Sequence, residues 1–291
     1  MNIRKVILIP NEQKDDGLRI ARRVIHRLSA KGASVYIDKS HTDLYWEEAQ
    51  FYEKPPKDAD LCLVMGGDGT FLDNAPFAVE NDIPLVGINL GRLGYLAVVE
   101  ADKLSMLDRL FRKSLAPSER MLLEGTIHRC AGDMTAIGRA AVNDIAVMRK
   151  GNAGLPDFSV SDSSGNVINY RADGVIFATP SGSSAYSLSA GGPLLNADVE
   201  AVCMTPVCCH SFFSRSVIFG PQSAVTVRNT SERGITLELL IDGRAAAVLE
   251  PGDEVTVRRS ARTLKTVDFS ESGMLTTLRR KMEAAELRHD N

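Results

Sequence analysis

The sequence predicts an α/β domain with a parallel sheet, followed by a mostly β domain of antiparallel strands. Three observations carry this. From Lys5 to Glu100, short apolar runs alternate with stretches of helical spacing, the pattern of βαβ units. After Glu119 the helical spacing fades and short alternating runs replace it. With 291 residues and 44% apolar composition, the chain can build two cores of roughly 150 residues each. The expected domains are residues 1–119 and 120–267, with a terminal helix at 268–291 returning to the first.

In the first half, Val6-Ile7-Leu8-Ile9 reads as a buried strand. Leu18, Ala21, Val24, Ile25 and Leu28 then recur at helical spacing until Gly32 ends the helix, with Arg19, Arg22, Arg23 and Arg27 on a solvated face. Ser34 to Asp38, Leu61 to Met65 and Leu85 to Asn89 are further strands, the last two bracketing an amphipathic stretch from Phe71 to Val79. His41 to Lys57, charged, aromatic and ending in Pro55-Pro56, reads as a long loop holding the single tryptophan, Trp46.

In the second half, alternation marks strands at Phe158–Ser161, Val167–Tyr170, Val225–Arg228, Ile235–Glu238 and Val255–Arg258. Turn residues support them: Asp162-Ser163-Ser164-Gly165-Asn166 separates two runs, and Pro251-Gly252-Asp253 precedes another. Leu275, Leu278, Met282 and Leu287 restore helical spacing at the end.

The totals exclude several classes. A net charge of −3 and the absence of long Lys/Arg blocks argue against nucleic acid as a partner. The apolar run near the N-terminus is too short for a signal segment or a bilayer span, so a cytoplasmic protein with no membrane partner is expected. Five scattered cysteines suit a reducing compartment. Cys203, Cys208, Cys209 and His210 lack the paired Cys-x-x-Cys spacing of structural zinc, and no metal-ligating residues are assigned.

Four segments stand out, three that combine glycine with polar groups and one that sets a polar pair among apolar residues. Gly66-Gly67-Asp68-Gly69-Thr70 joins a buried strand to a helix, where backbone N–H groups receive anions. Asp68 within it either caps the helix or serves phosphoryl transfer, by orienting a metal or activating a hydroxyl. Asn89-Leu90-Gly91-Arg92-Leu93-Gly94 follows a neighbouring strand on the same rim, either a ligand loop or an ordinary Gly-bearing turn. Asn143-Asp144 interrupts an apolar strand, so one polar side chain is buried unless a ligand, a bulge or a turn satisfies it. Tyr170 to Pro193, rich in Ser and Gly, carries Tyr, Pro and an adjacent apolar strand that a plain linker lacks. Such a surface can approach a nucleotide closely.

In this order and spacing the four motifs resemble the NAD kinase family, over roughly residues 60 to 260. Lipid kinases of the diacylglycerol and sphingosine type and phosphofructokinases share a Gly-Gly-Asp-Gly element; the Thr-Pro-Ser-Gly-Ser-Ser-Ala-Tyr run at 179–186 separates this chain from them. The resemblance implies a Rossmann-like parallel-sheet domain and a β-sandwich-like domain with the active site in the cleft between them. It implies transfer of the γ-phosphoryl group of ATP, as its Mg²⁺ complex, to the 2′-hydroxyl of NAD. Asp68 would then be the catalytic base and Gly69 part of the phosphate loop. Asn143 and Asp144 would hold the adenosine part, with Arg171 and Asp173 near the dinucleotide and Ser184, Ala185, Tyr186 and Ser189 lining the pocket. The resemblance also implies a homo-oligomer. Some positions depart from the family pattern: Asp73 replaces a common basic residue, Arg244 a common Gln, Cys209 a common Pro, and Ser181 and Ser184 common threonines. Arg244 would reach a phosphate or face solvent. The alternative functions are a lipid kinase and a catalytically silent dinucleotide sensor.

Overall fold

The computed structural model describes residues 3–41, 48–91, 94–112, 116–151, 154–210, 214–232, 234–267, 269 and 279. The chain divides into two compact units, Met1–Glu119 with Leu264–Asn291, and Arg120–Thr263.

The first unit is built on strands β1 (Lys5–Ile9), β2 (Ser34–Asp38), β3 (Ala49–Tyr52), β4 (Leu61–Gly66), β5 (Leu85–Asn89) and β6 (Val99–Glu100). All pair in parallel, in the spatial order β3-β2-β1-β4-β5-β6. That is the doubly wound order, in which ligands gather beyond the carboxyl ends of the strands where the winding reverses, here between β1 and β4. β4 and β5 are buried along their whole length, as strands covered on both faces must be. Helix α1 (Arg19–Ser29) buries Ala21, Val24, Ile25 and Leu28, the stripe that its spacing marks, and helix α2 (Asp68–Glu80) follows the Gly-rich turn.

Two features differ from expectation. The excursion from His41 to Lys57 contains β3, an edge strand paired with β2; Trp46 lies outside the described residues. Arg27 does not simply face solvent but donates two hydrogen bonds to Asp108, at 2.9 and 2.7 Å. Asp108 belongs to a 3₁₀ segment, Leu104–Phe111, whose Leu104, Leu107 and Leu110 are buried at the period of three that this helix type sets. Apart from Phe269 and Arg279, the terminal helix expected at 268–291 lies outside the described residues.

The second unit is built on β7 (Ser118–His128, entering the unit at Arg120), β8 (Met134–Ala136), β9 (Asp144–Arg149), β10 (Asp157–Asp162), β11 (Val167–Arg171) and β12 (Gly174–Ala178). After the short helix α3 (Tyr186–Ser189) come β13 (Val202–Val207), β14 (Val217–Phe219), β15 (Ala224–Asn229), β16 (Leu237–Ile241), β17 (Arg244–Leu249) and β18 (Glu254–Thr266). One sheet runs β14-β13-β12-β9-β16-β17, and its described pairings are antiparallel. Antiparallel β11, β10, β15 and β18 face it, and Ile145, Val147, Val175 and Phe177 from one sheet share a core with Phe158, Val160, Val225 and Val257 from the other. This is the alternation of a sandwich. The strand expected at Ile235–Glu238 is displaced to Leu237–Ile241, and the apolar strand expected to be interrupted by Asn143-Asp144 begins at Asp144.

Candidate active site

In the first unit, Gly66 has φ +156°, and a Cβ there would overlap the Thr70 side chain, so the turn requires glycine. Helix α2 opens at Asp68 with Gly67 as its N-cap and no side-chain cap. Asp68 is therefore not the helix cap. Its carboxylate instead accepts N–H groups from the strand-to-strand segment after β5: Tyr95 on Oδ2 at 2.8 Å, and Leu96 and Ala97 on Oδ1 at 3.0 and 3.1 Å. A carboxylate offers about four acceptor positions, so one remains, on Oδ2. Gly94 makes this seat, since a Cβ there would lie on the carboxylate. Gly69 is exposed at the first turn of α2, where N–H groups lack intrahelical partners. Asp73 is exposed, and Arg92 lies outside the described residues.

Lys14, from the loop after β1, was not marked by its local sequence. Its Nζ lies 3.6 Å from the point where a Cβ on Gly67 would sit. The loop is held by the buried Asp15, whose carboxylate accepts the N–H groups of Ile20 and Ala21 at 3.0 and 2.8 Å. A cation thus stands beside the Gly-rich turn.

In the second unit, Asn143 and Asp144 begin β9 between two turns. On one side Thr179 donates its hydroxyl to the Val142 carbonyl (2.7 Å) and its N–H to that of Asn143 (2.9 Å), while Gly182 N–H donates to Thr179 Oγ1 (2.9 Å). On the other side the turn at Asp242-Gly243 bonds the amides of residues 142–144. The pair is thus a turn-bound strand start rather than an interruption within a strand.

Asp144 is 3% exposed. Burial first, and then the negative charge of Asp242, push its carboxyl up to about 7. Burial raises Asp242 as well, against the lowering pull of three amides and Arg139. Among the described residues no comparable set of donors faces Asp144, so it is the more readily protonated of the two acids. An acid raised in the folded state binds protons more tightly there than when unfolded, so the contribution of Asp144 to stability is fully present below the unfolded value near 3.8 and is lost as pH rises toward 7. Asp144→Asn removes that loss. Between pH 5 and 8 the unfolding midpoint of the free variant is expected to fall less than that of the wild type, with a gain at pH 8 of at most about 4 kcal/mol. Parallel pH profiles would contradict it.

β12 lies beside β9 with Ala178 opposite Asp144 and Gly174 opposite Met148. Asp173, whose carbonyl accepts the Arg149 N–H, therefore stands roughly 17 Å from Asp144 along the strands, at about 3.3 Å per residue, and Arg171 ends β11 two residues earlier. Asp173 is 3.4 Å from Arg149, and Arg171 is exposed. Tyr186 bridges the interval: its hydroxyl reaches Met148 Sδ at 4.0 Å, and burial followed by the charges of Asp144, Cys208 and Asp173 raises its pKa. Ser184 donates to the Ser181 carbonyl (3.0 Å), Ala185 precedes α3, and Ser189 is exposed at its end. Arg244 begins β17 opposite Ile241, beside the turn that touches Asn143. Cys203 is buried in β13, and Cys208 is exposed with φ +47°.

A carboxylate-bearing Gly-rich turn on a doubly wound sheet, and a hydroxyl-rich turn beside two buried acids on a β sandwich, fit the class of nucleotide-handling kinases. Family models carry this further: residues 6–114 match the ATP-NAD kinase N-terminal domain and residues 142–269 the ATP-NAD kinase C-terminal domain. Relatives named NAD kinase include that of Symbiobacterium thermophilum, 34% identical over 281 residues covering 96% of this chain and 98% of the relative. That of Lachnoclostridium phytofermentans is 30% identical over 289 residues, covering 96% and 99%. The fold is shared with yeast NADH kinase complexed with NADH (TM-score 0.84, 22% identity, 97% and 88% covered). An Archaeoglobus fulgidus NAD kinase in complex with ATP also shares it (TM-score 0.70, 20% identity, 95% and 99% covered). The chain belongs to the ATP-NAD kinase family.

Proposed function

We propose that the protein is an NAD kinase, transferring the γ-phosphoryl group of ATP to the 2′-hydroxyl of the adenosine ribose of NAD to give NADP. The observation that carries the reading is the seat of Asp68, an acid fixed by three amides with one acceptor position left, at the start of an uncapped helix. Phosphoryl transfer through a loose transition state depends mainly on positioning and charge neutralisation. Asp68 accepts the hydrogen of the ribose hydroxyl, while the amides around Gly69 receive phosphate oxygens. Asn143 and Asp144 take the adenosine part; Tyr186, Ser184, Ala185 and Ser189 line the path toward Arg171 and Asp173. A row of polar groups spread over roughly 17 Å suits an extended dinucleotide better than a single base. Arg244 is assigned to a phosphate.

Among the described residues no group of three or more His, Cys, Asp or Glu could hold a metal. Mg²⁺ enters in this reading with the triphosphate, as part of the substrate. Lys14 supplies the cation that Asp73 does not: Lys14→Ala is expected to raise the KM for ATP about tenfold with little change in the KM for NAD. Equal changes for both substrates would remove Lys14 from the phosphate site.

The direct test incubates the pure protein with ATP, Mg²⁺ and NAD and reads NADP with an NADP-specific dehydrogenase. NAD binding without NADP would identify a sensor instead. Among the described residues no helix is long and apolar enough to cross a membrane. Cytoplasmic residence and a homo-oligomeric state complete the proposal, the latter open to light scattering.

A further inference from the structure

The turn joining β16 to β17 has φ +48° at Asp242 and +75° at Gly243, the signs of a two-residue type I′ hairpin. Asn-Gly or Gly-Gly would close such a turn equally well. The hairpin itself does not call for a carboxylate. Yet the Asp242 side chain is 2% exposed and accepts the N–H groups of Val142 on Oδ2 (3.0 Å) and of Asn143 and Asp144 on Oδ1 (2.7 and 3.1 Å). Its own N–H donates to the Asp144 carbonyl at 2.9 Å. Only an ionised carboxylate offers two acceptor oxygens and no hydrogens to three converging amides; Asn would point an NH₂ group at one of them. The arrangement buries a second acid near Asp144, relieved by Arg139, whose guanidinium lies 3.7 Å from Oδ2 and donates to the Ile241 carbonyl at 2.9 Å.

We propose that Asp242 is a positioning residue for nucleotide binding: it fixes the backbone of residues 142–144 so that Asn143 and Asp144 present their side chains to the adenosine part of the dinucleotide. This rests on the assignment of Asn143 and Asp144 to that part of NAD. With the Asn143 carbonyl taken by Thr179, the backbone is gripped from both sides. The bonds that grip residues 142–144 use their main-chain atoms, so the side chains of Asn143 and Asp144 take no part in the clamp.

The test uses the full chain carrying Asp242→Asn, with Asp242→Gly as a second variant that keeps the turn and removes the side chain. Calorimetry should show NAD affinity about tenfold to a hundredfold weaker, with turnover at saturating NAD changed much less. Amide exchange at residues 142–144 should quicken. Combined with Asp144→Asn, the loss should fall short of the product of the two single losses. Wild-type NAD affinity in either folded variant, unchanged exchange at 142–144, or strictly multiplicative losses would overturn the proposal. If exchange quickens but Asn143→Ala and Asp144→Asn bind NAD normally, the assignment of the adenosine site is overturned, and the nucleotide role of Asp242 with it, while the clamp stands.

Discussion

Asp68→Asn is expected to lower turnover by about 10²–10⁴-fold, the usual contribution of a positioned general base. The KM for NAD should rise only a few-fold, since the acid meets one hydroxyl of a large ligand. The substitution acts twice, however. Oδ1 serves Leu96 and Ala97 and Oδ2 serves Tyr95. An amide NH₂ at either position confronts at least one of these N–H groups, and each buried donor left unpaired costs about 1–3 kcal/mol. Placing the NH₂ toward Tyr95 loses the fewest bonds, but it also turns a donor toward the position where the ribose hydroxyl must give its hydrogen. Gly94→Ala separates chemistry from seating, because it keeps the carboxylate and obstructs its place. If turnover collapses in both variants, geometry dominates; if only Asp68→Asn is impaired, basicity does. Near-wild-type turnover in Asp68→Asn would remove Asp68 from the reaction.

Gly182→Ala should damage the protein through the proposed adenosine site. A Cβ there would lie 2.6 Å from Asn143 Cα and overlap the Asn143 carbonyl, backbone that cannot swing aside as a side chain does. Overpacking of this kind costs about 1–3 kcal/mol in stability. The functional loss should be larger, since displacing a binding group by about 1 Å can cost 10²-fold. We expect a lowered unfolding midpoint and NAD binding weakened about 10²-fold. Gly220→Ala is the control, with no atom within 4 Å of its Cβ and no positive φ. An unchanged NAD affinity in Gly182→Ala would mean that the 179–182 turn does not set Asn143.

Much of the fold is legible in local pattern. The strands at Val6–Ile9, Leu61–Met65 and Leu85–Asn89 are apolar runs because both their faces are buried, and α1 carries its stripe openly. β3 escaped because an edge strand needs little apolar surface: Gln50 and Phe51 are exposed, and pairing with β2 makes the strand. The 3₁₀ segment at Leu104–Phe111 repeats every third residue, a period that a search at 3.6 passes over. The site divides in the same way. Motifs contiguous in sequence announce Asp68, Asn143-Asp144 and the 170–193 run. Lys14 looks like any solvated lysine until β1 is laid beside β4. The Asp242-Gly243 pair is a visible hairpin signal, but nothing near it in sequence records what its carboxylate holds.

That carboxylate grips amides lying 98 to 100 residues earlier in the chain. During synthesis Asn143 emerges long before its clamp exists, and the three amides wait for β16 to add beside β9. Contacts of such separation form late, once much of the entropy of closing the intervening chain has been overcome. Nascent or truncated chains that end before residue 242 lack the clamp, and on the proposed assignment NAD should favour only the completed β unit by mass action.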